Sequence, residues 1–232
     1  MYSPGLDWAG LLLGRATNST LSKWIDDNIF GPLGMEASTF RPKEKPQVLE
    51  NLMSVSTRDL ETRELSDGPN DVISLDPVGD AGGVGSFGRA GDYVKVLADL
   101  LKEQPTLLKK ETADMLFTPQ FPVGSPSHQA LLAMRGIGLF DGLIGAPHSE
   151  PLDQIDINYG LGGLLIMQDI ETEKYYRPKG TLTWSGLPNL TWAINREKGI
   201  AIFYGTQILP YADEETQNLW TSFETAAWRQ FG

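Results

Sequence analysis

Among 232 residues there is no cysteine, so the chain has no disulfide framework, no thiol nucleophile and no thiolate metal site. The absence also suits a reducing compartment such as the cytoplasm. Histidine is nearly missing too. His128 and His148 sit in stretches rich in Gly, Pro and Ser, which places both in loops and too far apart to form a metal-ligand set. Proton transfer in this chain therefore calls for a base other than histidine. No apolar run approaches the roughly 20 residues needed to cross a bilayer, and Met1-Tyr2-Ser3-Pro4-Gly5 does not read as a signal peptide. Basic residues are few: 19 Lys and Arg against 30 Asp and Glu give a net charge of −11, which argues against a phosphate-binding surface and with it nucleic-acid recognition.

What remains is an ordinary soluble composition, 41% hydrophobic, enough to build a core. Trp8, Leu11 and Leu12 recur at helical spacing between Asp7 and about Ala16, and Asn18-Ser19-Thr20 interrupts them and offers a cap. Leu21, Trp24, Ile25 and Ile29 continue the period until Gly31-Pro32-Leu33-Gly34 stops it. From Glu36 to about Ser74 the pattern is polar and mixed, consistent with long connections and one short strand at Leu52–Ser56. A glycine-rich turn, 79–86, precedes a helix over Ala90–Leu101 with Tyr93, Val94, Leu97, Leu100 and Leu101 as its apolar face. A second helix follows over Lys110–Leu116, and Phe117–Ile157 reads as loop. Strands are expected over Tyr159–Met167, Thr181–Trp184, Leu190–Ile194 and Ile200–Tyr204, the last two joined by the tight turn Arg196-Glu197-Lys198-Gly199. A terminal helix, Glu214–Gln230, carries Leu219, Phe223 and Ala227 on one face. Helices first and an antiparallel sheet afterwards make an α+β arrangement.

Several short patterns are coincidental. Gly83-x-Gly85-x-x-Gly88 follows no strand and so is no dinucleotide fingerprint; a turn passing close to a pocket is the better reading. Asn18-Ser19-Thr20 and Asn189-Leu190-Thr191 fit the glycosylation pattern, but the first is more simply a helix cap and the second a strand start.

The informative stretches are Tyr2-Ser3-Pro4, Asn28-Ile29-Phe30-Gly31-Pro32-Leu33-Gly34-Met35, Gly82 to Leu101, Tyr159-Gly160-Leu161-Gly162-Gly163, and Trp184-Ser185-Gly186 with the hairpin after it. Their order resembles the serine β-lactamase-like and penicillin-binding-protein superfamily, in its class C-like esterase and acyltransferase branch. The resemblance implies the family's α+β fold: an antiparallel sheet flanked by helices, with an adjoining helical subdomain. It also implies a single domain over 1–232, mainly helix and loop to about 157 and sheet plus terminal helix from about 158.

The family's catalytic apparatus has three parts: a Ser-x-x-Lys helix start, a Tyr-x-Asn motif and a Lys-Thr-Gly-type strand. Histidine is unnecessary because a cation beside a phenol lowers its pKa far enough for proton shuttling. By this resemblance Tyr2 is the proton relay. Pro4 stands where Asn is frequent, which points away from lactams and toward esters. Trp184, Ser185 and Gly186 correspond to the pocket-lining strand, and the Leu187 backbone N–H is the oxyanion donor. Lys179-Gly180-Thr181 is a decoy for the same motif. No Ser-x-x-Lys precedes Tyr2; the nearest pattern, Thr20-Leu21-Ser22-Lys23, lies on the wrong side of it.

The expectation is the C-terminal part of an enzyme that acylates a serine from a missing N-terminal segment or a partner chain. Its substrate would be a small ester or acyl thioester, with no cofactor, metal, nucleic acid or membrane involved. The alternative left open is a truncated, non-catalytic remnant that only binds. One face of the sheet is expected to expose a large apolar patch, because the family's leading helix and strands are not in this chain.

Overall fold

The computed structural model describes residues 3–69, 72–137 and 155–232. The chain divides into two compact units, Met1–Ser54 with Pro69–Val96, and Val55–Gly68 with Leu97–Gly232.

In the first unit α1 (Gly5–Thr17) ends on Asn18, whose left-handed φ of 50° lets its N–H close back on the Gly14 carbonyl. Thr20 caps α2 (Leu21–Ile25) by accepting from the Lys23 N–H, and the helix runs into a π-type turn over Asp26–Phe30. A short helix, α3 (Pro46–Leu49), follows. The glycine turn is tied back to these helices: Asp80 accepts from the Ser22 N–H and Asp7 from the Gly83 N–H. Phe87 pairs with Thr39 in a single bridge. Among the described residues no strand leads into the glycine turn, so its G-x-G-x-x-G spacing lacks the strand a dinucleotide fingerprint requires. Asp92, on α4 (Ala90–Leu101), is fully buried and accepts from the Ala37 N–H and from Lys95 and Arg89. Burial pushes its carboxyl up, but these donors outweigh that and hold it below the usual carboxylate range.

The second unit is built on five antiparallel strands in the order β3 (Ile157–Tyr159), β4 (Leu164–Ile166), β7 (Leu182–Gly186), β8 (Leu190–Asn195), β9 (Ile200–Tyr204). Between β4 and β7 lies a two-stranded ribbon, β5 (Ile170–Glu171) and β6 (Tyr176–Arg177). A second sheet sets β1 (Ser56–Arg58) between β2 (Leu65–Asp67) and β10 (Ile208–Leu209). On the five-stranded sheet Leu165, Leu182 and Ile194 pack with Leu97 at the end of α4 and with Leu116 and Phe117, at the end of α5 (Lys110–Leu116) and just beyond it. Ala193 and Ile202 pack with Trp220 and Trp228 of α7 (Glu214–Phe231). Leu131 of α6 (Pro126–Ala133) joins Ile157, Leu164, Ile166 and Tyr175. Among the described residues helices thus pack on both faces of this sheet, and no bare face like the one expected is seen. Among the described residues, exposed large apolar side chains include Leu6, Trp8, Leu11 and Leu12 on α1 and Leu219 and Phe223 on the outer stripe of α7.

Four further expectations are corrected. The short strand is Ser56–Arg58, not Leu52–Ser56. Tyr159–Met167 is not one strand: Gly160–Gly163 turns the chain, and β3 pairs with β4 as a hairpin. The stretch read as loop contains α6, with Ser125 as N-cap and Pro126 at its start, so His128 is a buried helical residue. Its Nε2–H donates to the Ile157 carbonyl and its Nδ1 accepts from the Gly124 N–H, each at 3.2 Å, which is a satisfied core histidine. His148 lies outside the described residues. Finally, α7 buries Thr216, Trp220, Glu224 and Trp228, the stripe one residue on from Leu219, Phe223 and Ala227.

That inner stripe contains an ion pair in the core. Glu224 accepts from Arg177 Nε and Nη2 at 2.7 Å each, from Trp228 Nε1 at 3.0 Å and from the Tyr175 hydroxyl at 3.2 Å, with both charged side chains fully buried. A carboxylate with this many donors can be held in a dry interior. Among the described residues no helix is long and apolar enough to cross a membrane.

Candidate active site

The predicted pocket strand is the end of β7. The β4 ladder reaches only Leu182 and Thr183, so Trp184, Ser185 and Gly186 run past it with only β8 alongside among the described residues. Trp184 is half-buried and meets the Tyr159 ring edge-on at 5.7 Å between centroids, while Phe121 stacks on Tyr159 at 6.0 Å. The Tyr159 turn approaches its neighbours closely: a Cβ on Gly163 would stand 2.6 Å from the Thr183 carbonyl oxygen, so no larger residue fits there. On the other side of the strand the Ser185 hydroxyl lies 3.0 Å from the Tyr211 hydroxyl.

Past Gly186 the chain reverses through Leu187-Pro188-Asn189 and pairs again at Leu190. Asn189 closes this loop with φ 58°, the left-handed residue that a three-residue hairpin loop requires. Leu187 is 56% exposed. Among the described residues its N–H donates to no other group, so the loop leaves a backbone donor unpaired. Pro188 and Asn189 are tied down. Thr206 Oγ1 donates to the Pro188 carbonyl at 2.6 Å, and Asn189 Nδ2 donates to the Ile208 and Pro210 carbonyls at 2.8 Å each. Asn189 Oδ1 accepts from the Ala212 N–H at 2.8 Å. With Asn189 99% buried and both amide hydrogens engaged, the Asn189-Leu190-Thr191 sequon is closed to modification in the folded chain.

Lys179-Gly180-Thr181, set aside above as the pocket motif, lies elsewhere on β7's flank. Lys179 is exposed, Gly180 turns with φ 80°, and the buried Thr181 bonds its own turn at the Pro178 carbonyl, at the opposite end of β7 from the Leu187 turn. Thr20-Leu21-Ser22-Lys23 is likewise occupied, Thr20 as a helix cap and Lys23 in an exposed pair with Asp27 at 2.8 Å. Tyr2 lies outside the described residues. The structure therefore groups Trp184, Ser185, Gly186 and Leu187 at one strand end. It adds Tyr159, Phe121, Asn189 and Tyr211, which the site reading missed. Only the glycines of Tyr159-Gly160-Leu161-Gly162-Gly163 and the Asn after Pro188 hinted at them. Among the described residues no three His, Asp or Glu side chains stand where they could hold a metal ion.

The family described as Beta-lactamase matches residues 1–227, and the chain is a member of it. It is 34% identical over its whole length to an acyltransferase, calJ, of Penicillium decumbens, covering 53% of that protein. It is 32% identical, again over its whole length, to a lovastatin esterase of Penicillium rubens, covering 56% of it. The structure superposes on unliganded simvastatin synthase (LovD) of Aspergillus terreus with a TM-score of 0.86 at 30% identity, over 99% of this chain and 55% of that one. The chain thus spans about half the length of the relatives it matches.

Proposed function

We propose that the chain supplies one side of a serine-hydrolase-type acyl-transfer site that acts on a small carboxylic ester or acyl thioester, as an esterase or as a transesterase. Relatives named as an acyltransferase and an esterase support acyl transfer as the reaction class. The observation that carries the reading is the Leu187 N–H, without a partner among the described residues, at the end of the strand bearing Trp184-Ser185-Gly186.

In this reading a serine from outside these 232 residues attacks the acyl carbon, and its proton passes to the lysine and tyrosine pair in which Tyr2 is the phenol. The carbonyl oxygen takes up negative charge and is met by the Leu187 N–H, a contact of a kind worth about 3 kcal/mol of barrier. The C–O or C–S bond to the leaving group then breaks, and the tyrosine returns the proton to that group. Water or an alcohol repeats the sequence on the acyl-serine and restores the hydroxyl. The half-buried Trp184 and Tyr159 rings offer the acyl or acceptor group an apolar wall.

The test is acyl-enzyme formation. The coding DNA upstream of Met1 is read for an in-frame Ser-x-x-Lys, the protein is expressed with that segment, and intact mass is measured after mixing with p-nitrophenyl butyrate. The expected result is a single butyryl adduct on that serine, with release of p-nitrophenolate. An upstream stop codon, together with no adduct and no turnover by the purified chain, would leave only the binding-remnant reading.

A further inference from the structure

The Leu187 turn is held more firmly than a surface hairpin needs. A three-residue loop asks only for a residue that tolerates positive φ, and glycine would satisfy it. Asn189 is there instead, its side chain buried and bonded to the Ile208, Pro210 and Ala212 backbones. Thr206 ties down the Pro188 carbonyl, and Tyr211 meets Ser185. Every one of these partners falls within one short stretch, Thr206–Ala212, and each grips the segment Ser185–Asn189 that surrounds the Leu187 N–H. Surface loops ordinarily move on fast timescales, whereas a backbone donor that stabilises a developing charge must be held to within about 0.5 Å.

Taking the acyl-transfer reading as its basis, we propose that Asn189 and Tyr211 are positioning residues. They brace the β7–β8 turn so that the Leu187 N–H keeps one direction, and Thr206–Ala212 serves catalysis without touching the reacting atoms. Asn189→Gly removes the brace while keeping the backbone free to adopt φ 58°. Tyr211→Phe removes the hydroxyl that meets Ser185 and leaves the half-buried ring in place.

The experiment measures kcat and KM of both variants on p-nitrophenyl butyrate and on its thionoester, in the form of the protein that turns over. Melting curves accompany the kinetics. A sulfur in place of the carbonyl oxygen fits an oxyanion donor poorly, so the ester-to-thionoester rate ratio reports whether that donor is in place. The expected result for Asn189→Gly is a kcat lower by about 10²-fold, the size of effect a 1 Å misplacement produces. KM stays within about twofold, and the rate ratio collapses toward that of the uncatalysed reaction. Tyr211→Phe is expected to move the same quantities in the same direction by a smaller factor, with its melting curve unchanged. A brace that serves stability alone would lower the melting temperature of Asn189→Gly while kcat per folded molecule and the rate ratio stayed at wild type, and that result overturns this inference only. Absence of turnover in every form of the protein would remove the acyl-transfer reading and this inference together.

Discussion

Replacing Glu224 with alanine is the sharpest probe of what secures the terminal helix. Glu224 takes two hydrogen bonds from Arg177, one from Trp228 and one from Tyr175, and neither charged side chain has any solvent exposure. Burial alone would lower the Arg177 pKa, but the Glu224 carboxylate outweighs it and keeps the guanidinium charged. Glu224→Ala therefore leaves a cation without a counter-charge in the interior, together with an indole N–H that has lost its acceptor. Removing one partner of a buried pair costs about 3–5 kcal/mol. The double variant Arg177→Met/Glu224→Leu removes both charges and refills the space with apolar atoms, and should cost less than Glu224→Ala alone. Urea titrations followed by tryptophan fluorescence measure all three chains, with Trp220 and Trp228 as local reporters. A Glu224→Ala cost below about 1 kcal/mol, or a double variant that costs more than Glu224→Ala, would refute the reasoning.

The register of the same helix has its own check: Trp228→Ala should cost about 3–5 kcal/mol, whereas Leu219→Ser on the exposed stripe should stay within about 0.5 kcal/mol, both read from urea midpoints. Acid stability follows from Asp99 and Asp213. Burial raises both carboxyls, but Lys102 and the Thr106 and Leu107 N–H groups pull Asp99 down to about 2, and Thr216 and Arg58 hold Asp213 low. Carboxyls depressed in the folded state contribute stability above their unfolded pKa, near 3.9, and lose it as pH falls toward 2. Unfolding free energy should therefore drop across that window, and Asp99→Asn should flatten the drop; an unchanged pH profile in the variant would contradict the assignment.

Where structure follows from local pattern, the sequence reading and the fold agree. The bounds of α4 and α5 match, as does the β8–β9 hairpin around Gly199, whose φ of 66° suits glycine. The errors have specific causes. In α7 two apolar stripes lie side by side, and only packing against Ala193 and Ile202 selects Trp220 and Trp228 over Leu219 and Phe223. The helix α6 was hidden by Pro, Gly and Ser around it, although Ser125-Pro126 is a cap followed by a permitted N1 proline. The strand end at Trp184–Gly186 was visible through family resemblance. The brace at Asn189 and Tyr211 was not, because the 22 positions separating them carry no shared pattern and only the fold of Thr206–Ala212 brings them to one turn.

Acyl transfer relayed through a phenol is most directly examined by comparing ester turnover before and after loss of a single hydroxyl. Wild type and Tyr2→Phe, each expressed with any in-frame coding segment found upstream of Met1, are compared for kcat on p-nitrophenyl butyrate across pH. Loss of a general acid–base group costs about 10²–10⁴-fold, and a fall of that size with KM little changed is the predicted result. Equal kcat in the two proteins would contradict it.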